Sequence, residues 1–344
     1  MPLTNLNFQP GLDTENTETG AEGRWIDGDK IRFRKGLPQK IGGWTKFSAD
    51  YYVGVGRALE QWFALTGTRF EALGTDRKVY SFSAGTSQDI TPIRETATLV
   101  NAITTTNTSA NVTISDTGHG AILGDFVTLS NVSTNVGGII STTLDAEYEI
   151  LSITNADAYI IQSNATATST VGPTANCTAT YQLNIGPSVQ TFGYGWGAST
   201  WGASTWGTPR AVSNVVLDAR LWSINNWGED LIITQKDGGT YEWDLSSGMT
   251  GNRATVIANA PTTSTLSMIS TETRHVVCLG TETSIGNAST QDKMFIRWSD
   301  QEEYNYWTPN VTNSAGSQRI AGGSEIRCAR PAKGTILIWT DTTM

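Results

Sequence analysis

Apolar and polar residues alternate over short stretches along most of this chain, and turn-forming residues break the stretches every few positions. This pattern predicts many short β-strands. Leu59–Leu65, Phe70–Gly74 and Lys78–Phe82 form one run of three strand candidates. Ala219–Ile224, Asp230–Thr234 and Thr240–Trp243 form a second, and Thr265–Ile269, Arg274–Leu279 and Met294–Trp298 a third. Glu325–Arg330 and Thr335–Trp339 begin a fourth. By pattern alone Arg57–Leu65 also fits a short helix; its strand-like neighbours favour a strand.

Three of these runs contain similar polar turns: Gly74-Thr75-Asp76-Arg77-Lys78-Val79-Tyr80, Lys236-Asp237-Gly238-Gly239-Thr240-Tyr241, and Asp341-Thr342-Thr343-Met344. With residues 96–186 set aside, self-similarity at this spacing is in the range of propeller blades. A blade buries its face on the next one, so the runs are expected to stack. The fourth run stops before its closing strand. Either the N-terminal stretch Trp25–Arg34 completes it or the chain is the front part of a longer product, and the second is the expectation.

Composition changes the picture between residues 96 and 186. This stretch has no Lys, Arg or Trp, is crowded with Thr and Ser, and holds Asp116, Asp125, Asp145, Glu147, Glu149 and Asp157, six of the nine net negative charges. Asn111–Ser115, Phe126–Leu129, Glu147–Ile153 and Ala158–Gln162 read as strands, with turns at Gly118, Gly120, Gly124 and Asn155–Asp157. The expected organisation is therefore all-β: a β-propeller-like body made of residues 1–95 and 187–344, with a small β-barrel or β-sandwich module inserted at 96–186.

Charge and cysteine usage exclude several classes. A net charge of −9 does not suit a general nucleic-acid binder, which needs a Lys/Arg surface. Cys177, Cys278 and Cys328 are odd in number and far apart, so a disulfide framework is not expected and a reducing cytoplasm fits the place of synthesis. The opening residues lack the basic and apolar regions of a signal peptide, and no apolar run approaches the roughly 18–20 residues of a membrane-spanning helix.

Catalytic patterns are equally sparse. His119 and His275 are the two histidines, placed in a glycine turn and a strand candidate, which suits structural roles better than a zinc site. No nucleophile elbow or phosphate loop occurs. The stretch from Trp298 to Trp307 resembles an Asp-box hairpin, in which an aspartate pins a turn and a tryptophan packs behind it, though the Gly and Thr of that box are missing. Glycoside hydrolysis, the main enzymatic alternative, mostly needs two flanking carboxylates. No catalytic residue, metal or cofactor is expected.

Two features suggest contact surfaces. Between Gly193 and Gly207 the unit Trp-Gly-Ala-Ser-Thr repeats, setting Trp196, Trp201 and Trp206 five residues apart. Tryptophans so spaced anchor a loop on its own body, on a neighbouring subunit or on sugar, with subunit contact ahead of sugar. In Lys30-Ile31-Arg32-Phe33-Arg34 alternation places Lys30, Arg32 and Arg34 on one face, as a solvated surface or a subunit contact rather than a DNA site.

Several stretches together resemble a known family. They are Gln9-Pro10-Gly11-Leu12-Asp13-Thr14-Glu15-Asn16, Gly20–Arg34, Gly36–Trp44, Asp89-Ile90-Thr91-Pro92-Ile93, the Trp-Gly loop, Trp227-Gly228-Glu229-Asp230-Leu231, Gly238–Asp244 and Arg297-Trp298-Ser299-Asp300. The combination looks like the tail proteins of short-tailed bacteriophages, and within them the tail nozzle, or tail tubular protein B. Gly118–Asp125 resembles a turn in small β modules of phage structural proteins. The resemblance implies a virion protein assembled in the host cytoplasm, a propeller-bearing subunit of a hexameric ring below the tail adaptor and around the DNA exit channel, with adaptor and tail fibre proteins as partners. Genomic DNA would pass through it without specific binding. Nozzle proteins are usually much longer than this chain. The alternative function is a carbohydrate-binding module of an adhesion device.

Overall fold

The computed structural model describes residues 8–43, 45–46, 48–190 and 218–344. They fall into two units, one ending at Ala49 and the other running from Asp50 to Met344. The fold is all-β, built from several multi-stranded sheets.

In the first unit Gln9–Leu12 pairs with Arg24–Trp25, and Ile31–Arg34 forms a hairpin with Leu37–Lys40. The expected single strand Trp25–Arg34 is broken, because Lys30 takes the left-handed backbone conformation (φ 54°) just before Ile31. Lys30 therefore does not extend the strand that carries Arg32 and Arg34.

Three four-stranded antiparallel meanders make up most of the second unit. The first sheet is Gly56–Phe63, Arg69–Thr75, Val79–Ser83 and Thr86–Asp89. The second is Trp222–Trp227, Asp230–Gln235, Thr240–Trp243 and Thr255–Val256. The third is Leu266–Ile269, Val276–Leu279, Phe295–Trp298 and Gly316–Arg319. A fourth sheet has two strands, Ile326–Ala332 and Thr335–Thr340.

These sheets stack in chain order because each carries apolar residues toward its neighbour. Trp62, Phe70, Ala72 and Val79 of the first sheet pack on Trp222, Ile224, Leu231, Ile233 and Trp243 of the second. Ile232 and Trp227 meet Val276 and Cys278 of the third, with Trp307 buried among them. Val277, Leu279 and Ile296 meet Ile326 and Ala329 of the fourth. The first strands of successive sheets lie side by side, as in propeller blades. No hydrophobic cluster joins the fourth sheet back to the first among the described residues.

A barrel occupies the interval between the first and second sheets. Ile93–Leu99, Ile103–Thr105, Asn111–Ser115, Phe126–Ser130, Glu147–Asn155, Ala158–Gln162, Val171–Thr174 and Cys177–Gln182 form one antiparallel sheet. It closes because 93–105 and 171–182 are bent stretches that pair along both halves. The bends fall at Asn101 (φ 49°) and Ala175 (φ 57°). Its core, including Ile103, Ile114, Leu129, Ile150, Tyr159 and Ile161, is separate from those of the stacked sheets.

Candidate functional site

The insert has no cation of its own, and two of its carboxylates, Glu147 and Glu149, pair with cations of the body. Lys78, 3% exposed, leaves the first sheet and places its ammonium 2.8 Å from Asp89 and 2.7 Å from Glu147 of the barrel. Arg253, from the loop before the last strand of the second sheet, lies 2.7 Å from Asp89 and 3.8 Å from Glu147. Gln182 donates to Glu147, and Arg77 pairs with Glu149. The Phe126 ring sits under Lys78 at 4.2 Å and under Arg77 at 5.1 Å. Three cations, three acids and an aromatic ring thus tie barrel, first sheet and second sheet at one point.

Burial pushes the Asp89 carboxyl up. The charges of Lys78 and Arg253, with hydrogen bonds from Lys78 and Thr91, outweigh burial and hold it below its ordinary value of 3.8. A carboxylate depressed on folding adds stability above its unfolded pKa and loses it as pH falls through the folded value. Asp89→Asn is therefore expected to weaken the protein at pH 7 and to narrow its deficit below about pH 4. Urea unfolding at pH 7 and pH 3 checks the sign.

Beside Phe126, Asp125 accepts backbone N–H bonds from Ile122 and Ile185, each at 2.8 Å, which fastens the chain leaving the barrel. Burial raises its carboxyl above the ordinary value despite these bonds. The insert is thus not a free acidic face. Asp125 is buried and Glu147 and Glu149 are engaged by body cations.

Both histidines have structural partners. His119 is buried; its Nδ1 accepts from the Ala121 N–H, so Nε2 carries the proton donated to the Asn155 carbonyl. His275 Nδ1 lies 2.9 Å from the Ser299 carbonyl. Asp300 Oδ1 accepts from the N–H of Gln301 and of Ser314 and from the Ser314 hydroxyl, and Trp298 Nε1 donates to the Ser314 carbonyl. The Asp-box-like stretch is a pinned turn. Among the described residues no three His, Cys, Asp or Glu side chains gather as a metal site.

A cleft of about 430 Å³ opens where the first strands of the second, third and fourth sheets converge with Glu60 of the first. An adjoining cleft adds Arg57 and Cys328. Glu60 and Arg330 line both, with Asn225 and Ser267 between them. Burial raises the Glu60 carboxyl, and the charge of Arg330 opposes that rise. One carboxylate among arginines, an amide and a hydroxyl suits reversible binding of a polar ligand and does not supply the carboxylate pair of most glycoside hydrolases.

The sequence-selected residues do not gather at these places. Arg32 and Arg34 are exposed on the hairpin of the first unit, opposite the half-buried Ile31 and Phe33, and Arg32 donates to Gln39. Trp196, Trp201 and Trp206 lie outside the described residues. Sequence reasoning missed Lys78, Arg253, Glu60 and Arg330. The usable signal for the first pair was the missing cation within 96–186.

No protein-family model matches the chain, and no curated protein does. Among solved structures it is similar to the phage phi92 endosialidase at 13% identity and a TM-score of 0.23, over 86% of this chain and 41% of that one. The chain thus spans about two fifths of the length of that structure.

Proposed function

We propose that this protein is a structural subunit of a bacteriophage tail, in the nozzle ring around the DNA ejection channel. It packs there against copies of itself and against adaptor and fibre proteins. The observation that carries this reading is a pair of uncovered sheet faces at the two ends of the stack. Leu59 and Phe63, 71% and 60% exposed, lie on the face of the first sheet turned away from the second. Leu337 lies on the face of the fourth sheet turned away from the third, opposite Arg330. Each face is one half of the contact that already joins successive sheets within the chain. A contact between unlike faces of two copies is heterologous, and such contacts generate rings where the rotation closes and open filaments where it does not. A scaffold needs stiffness, which the ion-paired junction supplies.

The cleft supports a second reading, a carbohydrate-binding module of an adhesion device. Analytical ultracentrifugation and electron microscopy of the purified protein separate the two. Assembly predicts ring-shaped particles that fall apart to monomers in a Leu59→Glu, Phe63→Glu variant of unchanged melting temperature. A protein that stays monomeric at virion-like concentration while binding glycans through the cleft overturns it.

A further inference from the structure

Most arginines of the second unit find their partners within the protein. Among the described residues Arg69, Arg77, Arg94, Arg253, Arg319 and Arg327 form ion pairs. Arg220 and Arg297 are drawn inward and donate to backbone carbonyls. Arg57, Arg274 and Arg330 remain. They are exposed, they form no ion pair among the described residues, and all three line the connected clefts where the first strands of the sheets converge.

These clefts make one groove. Glu60, Asn225, Ser267 and Arg330 are walls of both the space of about 430 Å³ and its neighbour of about 340 Å³. Ser270, Thr271 and Pro331 are walls of the first and of a third space of about 310 Å³ that reaches Gly334. Each space has the size of a small-ligand pocket.

The three guanidiniums keep donors to spare. Arg57 spends one nitrogen on the Ser188 carbonyl. Arg274 lies over the Trp227 ring at 4.7 Å, and a guanidinium over a ring still presents N–H groups at its edge. Arg330 makes no side-chain hydrogen bond among the described residues; its charge reaches the Glu60 carboxyl without an ion pair between them. Three such forks along one groove mark a place for carboxylates that the chain itself does not supply. Hydroxyl chemistry lies between them. The Asn225 amide donates to the Ser267 carbonyl and hydroxyl, which leaves its own oxygen to accept. Ser223 adds a hydroxyl beside it.

The lining disfavours single-stranded nucleic acid, whose bases need aromatic faces. Trp222 is the aromatic residue of the groove, and it is buried with its indole N–H on the Thr75 carbonyl. Glu60 in the middle repels a chain with a phosphate at every unit, yet it can accept from sugar hydroxyls.

We propose that this groove binds an acidic glycan, with Arg57, Arg274 and Arg330 taking its carboxylates and Glu60, Asn225 and Ser223 its hydroxyls. The proposal rests on the carbohydrate reading of the cleft and does not need the ring.

The test places the whole chain on an array of carboxylate-bearing glycans, each beside its neutral methyl ester, and follows the best binder by calorimetric titration. Acidic members are expected to bind, and their esters to bind about tenfold more weakly or not at all. Arg330→Gln should weaken binding about tenfold at an unchanged melting temperature, because each charge-assisted bond is strong. Arg319→Gln, outside the groove, should leave binding as it is. Raised salt should weaken the acidic glycan and spare any neutral one. Esters that bind as well as their acids overturn the proposal and leave the carbohydrate reading standing. Absence of binding to every glycan overturns both. Binding that survives Arg330→Gln combined with Arg57→Gln puts the ligand elsewhere and overturns the groove. An oligodeoxynucleotide that binds more tightly than every glycan overturns the ligand class.

Discussion

Replacing Trp243 by alanine should destabilise the stacked sheets by about 4 kcal/mol, within the range for emptying a buried tryptophan site. Trp243 is fully buried between the first and second sheets. Its ring meets Trp62 edge-on at 6.1 Å, and Trp62 stacks on Phe70 at 5.3 Å. Its indole N–H donates to the Asn252 carbonyl, which would lose that donor. Trp62 in turn donates to the Glu229 carbonyl, and Trp222 to the Thr75 carbonyl, so the rings also tie the turns of one sheet to the next. Trp243→Phe should recover much of the loss by refilling volume. Chemical denaturation measures both. A loss below about 1 kcal/mol for alanine, the level of an ordinary surface change, would show that this interface does not bear the stack.

The second large effect is expected at Lys78. Lys78→Met keeps the aliphatic stem over Phe126 and removes the charge, leaving Asp89 and Glu147 close together. Breaking a buried pair by deleting one partner costs about 3–5 kcal/mol. The lower end applies, because Arg253 still reaches Asp89 and the Glu147 side chain is 34% exposed. Adding Glu147→Gln should restore part of the loss, and the double-mutant cycle isolates the coupling of barrel to body. Hydrogen exchange supplies a second readout, since the barrel amides should open before the sheet amides in Lys78→Met. Joint opening would mean that the apolar contacts alone weld the two parts.

Much of the strand order was legible because most strands have one buried face. Thr240–Trp243, Asn111–Ser115 and Ala158–Gln162 occur where alternation places them. Gly56–Phe63 is a strand, which settles the helix-or-strand ambiguity. The outer strands Thr86–Asp89, Thr255–Val256 and Gly316–Arg319 were not foreseen. They are short and largely polar, and they gain their conformation from pairing with a neighbour rather than from a pattern of their own. The glycine loop before Phe126 was legible as a turn, and Gly118, Gly120 and Gly124 all have positive φ. Burial of His119 against Tyr159 beneath that loop was not.

By itself the sequence determined the all-β class, most of the inner strands, and the change of composition that sets residues 96–186 apart. These are local properties: the two-residue period, the turn residues and the absence of cations are written in consecutive positions. Only the tertiary structure decided that Lys78 meets Glu147 across 69 residues, that Glu60 and Arg330 share a cleft, and that the threonine-headed turns after Thr75 and Thr340 are built alike. Such pairings depend on which strands stack and at what register. The free energy that selects them comes from burying distant faces together, and no stretch of sequence carries that alone.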